Sequence, residues 1–252
     1  MDLGIADMAA LVTGATRGIG LAVARVLAAE GARVAVAYHR DVAGAKQVSA
    51  ELGADRGRSM VVPYALEDPS AAEQALAQVT SSWGQINIVV HCAVRRGQRS
   101  PGRHFEDVPV DDWDPGLAGD LRAAVRLSQL SVGAMRPQGW GRLVLLSSHV
   151  VRNGRAGQEF YAAGKAALHG LVRSLAWDAG PSGILANVVC PGLTTTDGVL
   201  GQLPASLREA EAALTPSGRL SSPADVANTI AFLCSRANRN ITGSVLSVSG
   251  GR

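Results

Sequence analysis

Seven short apolar runs alternate with longer helical stretches along the whole 252-residue chain. The runs are continuous rather than interleaved with polar residues, which is typical of strands covered on both faces. They span residues 9–12, 34–37, 60–62, 86–90, 143–146, 185–189 and 245–248. Because a helix between parallel strands must cross over the sheet, this alternation predicts an α/β fold. We expect one domain, residues 1–252, with a doubly wound parallel β-sheet of about seven strands and helices on both faces.

Composition and charge exclude several classes of protein. The chain is 47% hydrophobic with a formal net charge of +3, and its arginines form no stripe of the kind that binds nucleic acid. No apolar run approaches the roughly 20 residues of a membrane span, and no export signal is visible. The three cysteines are widely spaced, which favours free buried thiols over a metal site. We therefore expect a cytoplasmic protein without a nucleic-acid, membrane or metal partner.

A glycine-rich turn joins the first apolar run to an amphipathic helix. Glycine allows the backbone to turn tightly and to approach a ligand closely, and a helix N-terminus offers free N–H groups to a pyrophosphate. The turn therefore predicts a Rossmann-type dinucleotide site. The expected contacts come from Gly14, Thr16, Arg17, Gly18, Ile19 and Gly20.

The second run ends in Tyr38-His39-Arg40. Sites that prefer NAD usually carry an acidic residue here to bind the ribose 2′-hydroxyl, and Tyr38 is not acidic. A planar guanidinium suits a 2′-phosphate, and Arg17 and Arg40 can supply one. The pattern favours NADP(H) over NAD(H), with His39 and Arg40 in the site.

Tyr161 and Lys165 lie one turn apart in a predicted helix and can therefore meet on one face. A free phenol has a pKa near 10, but a nearby cation can lower the pKa of a partner acid by about 1–3 units, which suits a general acid–base. Lys165 is one of only two lysines in the chain. Ser148 follows the fifth run, where open α/β sheets bind ligands, and its hydroxyl can hold a carbonyl oxygen.

With these motifs, the sequence resembles the classical short-chain dehydrogenase/reductase family, and its ketoreductases in particular, over essentially its full length. The resemblance rests on the glycine turn, the Tyr161/Lys165 pair, the spacing of Ser148 and the Pro-Gly segment after the sixth run. It implies that Tyr161 is the general acid in reduction, that Lys165 binds the nicotinamide ribose, and that Ser148 orients the carbonyl. It also implies a homotetramer or dimer. Further cofactor contacts are expected from Ala65, Leu66, Ala93, Pro191, Gly192, Thr194 and Thr196.

Several positions depart from the family pattern. Where the family reads Asn-Asn-Ala-Gly after the fourth strand, only Ala93 matches. Ala65 replaces an aspartate that contacts adenine, which removes a hydrogen bond worth about 0.5–1.5 kcal/mol, although the backbone of Leu66 still contributes. Asp120 stands at the fourth catalytic position, usually asparagine. Its charge favours the ammonium of Lys165 and adds negative charge near Tyr161, which are opposing effects on the tyrosine. Gly164, before the lysine, indicates close packing, for example at a subunit interface.

The leading hypothesis is reduction of a ketone to an alcohol with NADPH by hydride transfer. Two alternatives are dehydration, isomerisation or cyclisation on the same scaffold, and a non-catalytic NADP(H)-binding regulatory protein. Residues 194–222 are expected to form a substrate lid, whose apolar residues suggest a hydrophobic, polycyclic or polyketide-like substrate. Gly139 and Ser182 stand where related carrier-dependent reductases carry arginines, which favours a free small molecule. The arginines at 95, 96, 99 and 103 either attract an anionic or phenolic substrate or belong to a solvated loop.

Overall fold

The computed structural model describes residues 2–95 and 102–252. Seven parallel strands form one sheet in the order β3-β2-β1-β4-β5-β6-β7, which confirms the predicted fold class. Each predicted run lies within or overlaps a strand. The strands are β1 (Ala9–Thr13), β2 (Arg33–Tyr38), β3 (Ser59–Pro63), β4 (Ile88–His91), β5 (Gly141–Leu146), β6 (Ile184–Pro191) and β7 (Val245–Val248).

Helices connect the strands and cover both faces of the sheet. They are α1 (Gly18–Ala29), α2 (Val42–Glu51), α3 (Ala71–Trp83), α4 (Val110–Met135), α5 (Val150–Asn153), α6 (Glu159–Ala179), α7 (Asp197–Gln202), α8 (Ala205–Ala213) and α9 (Pro223–Leu233). Helices α3, α4 and α6 bury apolar residues against one face, and α1, α2 and α9 cover the other. Every residue of β1 and β6 is consequently buried, which explains their continuous apolar sequence.

The strand order places the ligand cleft. The chain moves outward from β1 through β2 to β3, then returns to pair β4 with the other side of β1. In open parallel sheets, ligands bind at the carboxyl ends of the strands where the order reverses in this way. The glycine turn and the segments after β2 to β6 all begin at that edge.

The segment 194–222 leaves the same edge and contains α7 and α8. Its two ends are joined where Thr194 pairs with Ser221 and the amide of Thr195 donates to the carbonyl of Ser221 at 2.9 Å. Leu200 and Leu207 on its helices are exposed. Among the described residues, no helix is both long and apolar enough to cross a bilayer.

Candidate active site

The glycine turn packs tightly against two other loops of the cleft. Gly14 and Gly18 have φ angles of 64° and 57°, a region that favours glycine. A Cβ on Gly14 would lie 3.2 Å from the backbone of Ala93 after β4, and one on Gly18 would lie 3.2 Å from Thr196 Cγ2 after β6. The turn therefore brings the loops that follow β1, β4 and β6 together, as a dinucleotide cleft requires.

The N-terminus of α1 is suited to an anion. Its N-cap residue, Arg17, makes no side-chain capping hydrogen bond, and the first turn contains no acidic residue. The first N–H groups of a helix have no intrahelical acceptor and carry partial positive charge. Thr16, Gly18, Ile19 and Gly20 surround this end, so the residues present fit a pyrophosphate.

His39, directly after β2, is held by an acidic residue from the loop after β3. Its Nε2 lies 3.0 Å from Glu67 Oε1, and Arg95 Nη2 donates to Glu67 Oε2 at 2.6 Å. The pKa of Glu67 is lowered by hydrogen bonding and by the charges of Arg95 and His39. Arg17 and Arg40 are exposed at the same edge. Ala65 and Leu66, just before Glu67, are partly buried.

Thr13 organises the altered segment after β4. Its hydroxyl oxygen accepts hydrogen bonds from the amides of Cys92 at 3.1 Å and Ala93 at 3.0 Å, and it lies 3.0 Å from His91 Nδ1. The hydroxyl proton is then available for Nδ1, which places the imidazole proton on Nε2. Burial, together with the charge of Lys165, lowers the pKa of His91 to about 3. His91 is therefore neutral, and the backbone of Ala93 is fixed without the asparagines usual in the family.

Lys165 is buried and anchored to the end of β5. Its Nζ donates to the carbonyl of Leu146 at 2.8 Å and lies 5.8 Å from the centroid of the Tyr161 ring. Burial lowers the pKa of Lys165 to about 8, while the charge of Asp120 opposes this change. Ser148 is two residues beyond Leu146, and its Oγ accepts from the amide of Val150 at 3.3 Å. The fold therefore brings the segment carrying Ser148 to the helix carrying Tyr161 and Lys165.

Asp120 projects from α4 towards the same region. Its Oδ2 accepts from the amide of Arg95 at 2.8 Å. Its Oδ1 is buried and makes no hydrogen bond with any residue in the described part of the chain. Burial raises the pKa of Asp120, and the bond from Arg95 and the charge of Lys165 oppose that rise.

A cavity of about 260 Å³ lies between α4 and α6 and reaches Tyr161, Lys165 and Asp120. Its wall includes Trp113 and Phe160, whose ring centroids are 5.0 Å apart. Phe105, outside the lining, stacks on Phe160 with a centroid distance of 5.3 Å. Such a wall favours flat or bulky apolar groups.

Gly164 lies on the α6 side of this cavity. A Cβ there would lie 3.3 Å from Leu117 Cδ1 on α4. The close helix packing that this glycine predicts is therefore found within the chain.

Two of the arginines after β4, Arg95 and Arg103, are engaged with acidic residues. Arg95 pairs with Glu67, and Arg103 pairs with Asp112 at 2.8 Å. Arg96 and Arg99 lie outside the described residues. The acidic partners offset the charges of Arg95 and Arg103. These two side chains therefore attract an anionic substrate less strongly than the sequence alone suggests.

The Pro-Gly segment after β6 is held against the carboxyl edge. The carbonyl of Pro191 accepts from the amide of His149 at 3.0 Å, and a Cβ on Gly192 would lie 2.9 Å from Ser249 Cα. Thr194 is buried, and Thr196 caps α7 by accepting from the amide of Val199. Four of the expected cofactor contacts, Pro191, Gly192, Thr194 and Thr196, thus lie together at the carboxyl edge of the sheet.

Three features of the site were not expected from sequence: the acceptor role of Thr13, the Glu67 contacts and the aromatic stack. The position of Thr13 is a usable signal, because the last residue of β1 lies in register with His91 at the end of β4, next to the amides that the hydroxyl binds. Glu67 and the aromatic residues have no comparable signal, since their partners are remote in sequence.

Comparison with known proteins agrees with this geometry. Residues 14–252 match a family model described as enoyl-(acyl carrier protein) reductase. The chain is 36% identical to the 3-oxoacyl-(acyl-carrier-protein) reductase FabG of Escherichia coli K12, covering 96% of each chain. It is 34% identical to the cis-4-hydroxycyclohexanecarboxylate dehydrogenase of Sinomonas cyclohexanicum, covering 100% of this chain and 98% of that one.

Among solved structures, a short-chain dehydrogenase/reductase from Serratia marcescens superimposes with a TM-score of 0.88 at 30% identity, covering 98% of each chain. Fold and site together define an NAD(P)-type oxidoreductase scaffold. The chain belongs to the short-chain dehydrogenase/reductase family, and its relatives include ketoreductases.

Proposed function

We propose that this protein reduces a ketone to an alcohol with NADPH. The observation that carries the proposal is the placement of Lys165, buried beside the Tyr161 ring and bonded to the end of the strand that leads to Ser148. The reductase names of the relatives support the reaction class.

When bound, the nicotinamide cofactor supplies the hydride that adds to the carbonyl carbon. The Tyr161 hydroxyl donates its proton to the carbonyl oxygen. The C=O double bond thereby becomes a C–O single bond, and one C–H bond and one O–H bond are formed. The Ser148 hydroxyl donates a hydrogen bond to the same oxygen and orients it. The Lys165 ammonium has three donors, one of which is used by Leu146. The other two can hold the ribose, while the positive charge stabilises the phenolate left on Tyr161.

The preference for NADPH is supported by the residues at the end of β2. No acidic side chain follows β2 directly, Arg40 is exposed there, and Arg17 is exposed at the N-cap of α1. A guanidinium pair suits the 2′-phosphate that distinguishes NADPH from NADH.

The substrate we propose is a small hydrophobic carbonyl compound, cyclic or aromatic. The aromatic wall beside Tyr161 and the apolar residues of α7 and α8 both favour such a molecule. The curated relatives include enzymes named for carrier-bound and for free cyclic substrates. Here Gly139 and Ser182 occupy the carrier-contact positions, and nearby Arg136 is paired with Asp178 at 2.7 Å. These features favour a free substrate over one attached to a carrier protein.

The test is an assay of purified protein with NADPH against cyclic, aromatic and linear ketones, each as the free compound and as an acyl-carrier thioester. A matched α,β-unsaturated thioester tests the enoyl reduction named by the family model. We expect alcohol to form in equal amount with the NADPH consumed, and activity to fall sharply in Ser148→Ala. Product formation without NADPH consumption would instead support dehydration, isomerisation or cyclisation. Tight NADPH binding with no turnover of any compound would support a regulatory protein.

A further inference from the structure

Three ionisable side chains from three separate loops meet at the adenosine side of the cleft. His39 follows β2, Glu67 lies in the loop after β3, and Arg95 lies four residues beyond the end of β4. Glu67 is the common partner, with Oε1 at 3.0 Å from His39 Nε2 and Oε2 at 2.6 Å from Arg95 Nη2. Their side chains are 34–44% exposed, so the cluster stands at the surface of the cleft.

An acidic residue at this end of a dinucleotide site can act in two opposite ways. A carboxylate with open acceptor positions binds the ribose 2′-hydroxyl and thereby selects NAD. A carboxylate whose oxygens are already engaged instead orients its partners and has its charge offset by them. Here each oxygen of Glu67 has a partner, and one of those partners is the guanidinium of Arg95.

We propose that Glu67 is a positioning residue for recognition of the phosphorylated cofactor. It fixes the imidazole of His39 through Nε2 at the end of β2, where the 2′-phosphate is recognised, and Arg95 neutralises its charge so that the phosphate is not repelled. This inference rests on the proposed NADPH preference and adds to it the residue that enforces the preference. Glu67 makes no contact with the reacting groups.

The test measures cofactor binding directly, without turnover. Dissociation constants for NADPH and NADH are determined by quenching of protein fluorescence for the wild type, Glu67→Ala, Glu67→Gln, His39→Ala and the double variant. We expect Glu67→Ala to weaken NADPH binding about tenfold, equivalent to about 1.4 kcal/mol, and to leave NADH binding within about twofold. Glu67→Gln keeps an oxygen that accepts from His39 and should restore most of the NADPH affinity.

The double variant identifies the mechanism. If Glu67 acts through His39, the effects of the two alanine substitutions on NADPH binding are not additive. Glu51→Ala is the matched control, because Glu51 forms an ion pair of the same type with Arg25 at 2.7 Å on the outer surfaces of α1 and α2. It should bind both cofactors like the wild type.

Three results would overturn the proposal. Tighter NADPH binding by Glu67→Ala would mean that the carboxylate opposes the phosphate. Weaker NADH binding by the same variant would mean that Glu67 is a ribose ligand. Additive effects in the double variant would mean that Glu67 does not act through His39. A wild type that binds NADPH selectively but reduces no ketone would contradict the proposed function alone.

Discussion

The ammonium of Lys165 donates a 2.8 Å hydrogen bond to the main-chain carbonyl of Leu146, the last residue of β5. This bond joins α6 to the carboxyl edge of the sheet two residues before Ser148. It is reinforced by Ser147, whose Oγ donates to the carbonyl of Lys165 at 3.2 Å. Helix and strand are therefore tied together at the point where the proton donor and the carbonyl-orienting serine must cooperate.

Lys165→Met should abolish catalysis while leaving the protein folded. The substitution removes the charge that stabilises a Tyr161 phenolate, and we expect ketone reduction to fall by at least about 100-fold. It also removes a buried ammonium, so the loss of stability should be small. The control is Lys46→Met at the only other lysine, which is exposed on α2. Steady-state kinetics and thermal unfolding of both variants check this, and substantial activity in Lys165→Met would contradict the assigned role.

Asp120→Asn should shift the pH dependence of kcat/KM. Burial lowers the pKa of Lys165 to about 8, and the charge of Asp120 raises it. Without the carboxylate, Lys165 should lose its proton at lower pH, so the alkaline limb of the kcat/KM profile should move to lower pH.

The profile is measured beside Asp178→Asn, which alters an exposed ion pair with Arg136. That control should keep the alkaline limb of the wild type. An unchanged limb in Asp120→Asn, or one displaced to higher pH, would show that Asp120 does not support the charge on Lys165.

Thr13→Val should destabilise the fold through the segment after β4. The substitution leaves the amides of Cys92 and Ala93 and the Nδ1 of His91 without their partner. Each buried polar group left unsatisfied costs about 1–3 kcal/mol, so the free energy of unfolding should fall by about 2 kcal/mol or more. Thr13→Ser keeps the hydroxyl and should lose much less. Denaturant unfolding of the two variants provides the measurement, and equal losses would show that the methyl group matters rather than the oxygen.

The fold was predictable because its signals are local. Continuous apolar runs indicate covered strands, and Gly31, with a φ of 85°, directly follows the C-cap of α1, where glycine is favoured. The glycine turn and the Tyr161/Lys165 spacing likewise place their residues through short-range geometry. Strand ends were less accurate, since β4 begins at Ile88 rather than at residue 86. Asn87, just before β4, bonds to Ala9 twice: its backbone amide donates to the carbonyl of Ala9 and its side-chain oxygen accepts from the amide of Ala9, both at 2.9 Å.

The charge balance of the site was not predictable in the same way. Glu67 and Asp120 acquire their roles from Arg95, whose side chain binds one and whose amide binds the other. These contacts join residues that are 25 and 28 positions apart in sequence, and no local pattern encodes them. The aromatic stack of Phe105, Trp113 and Phe160 likewise forms only when α4 packs against α6.

The most direct test of the account is a single-turnover measurement with Tyr161→Phe. Enzyme saturated with NADPH is mixed with a ketone that the wild type reduces, and alcohol formation is followed together with independently measured NADPH binding. We predict that NADPH binds with an affinity close to that of the wild type, while the rate of reduction falls by about 10²–10⁴-fold because the proton donor is absent. Reduction at the wild-type rate by Tyr161→Phe would contradict the central claim that this hydroxyl protonates the carbonyl oxygen.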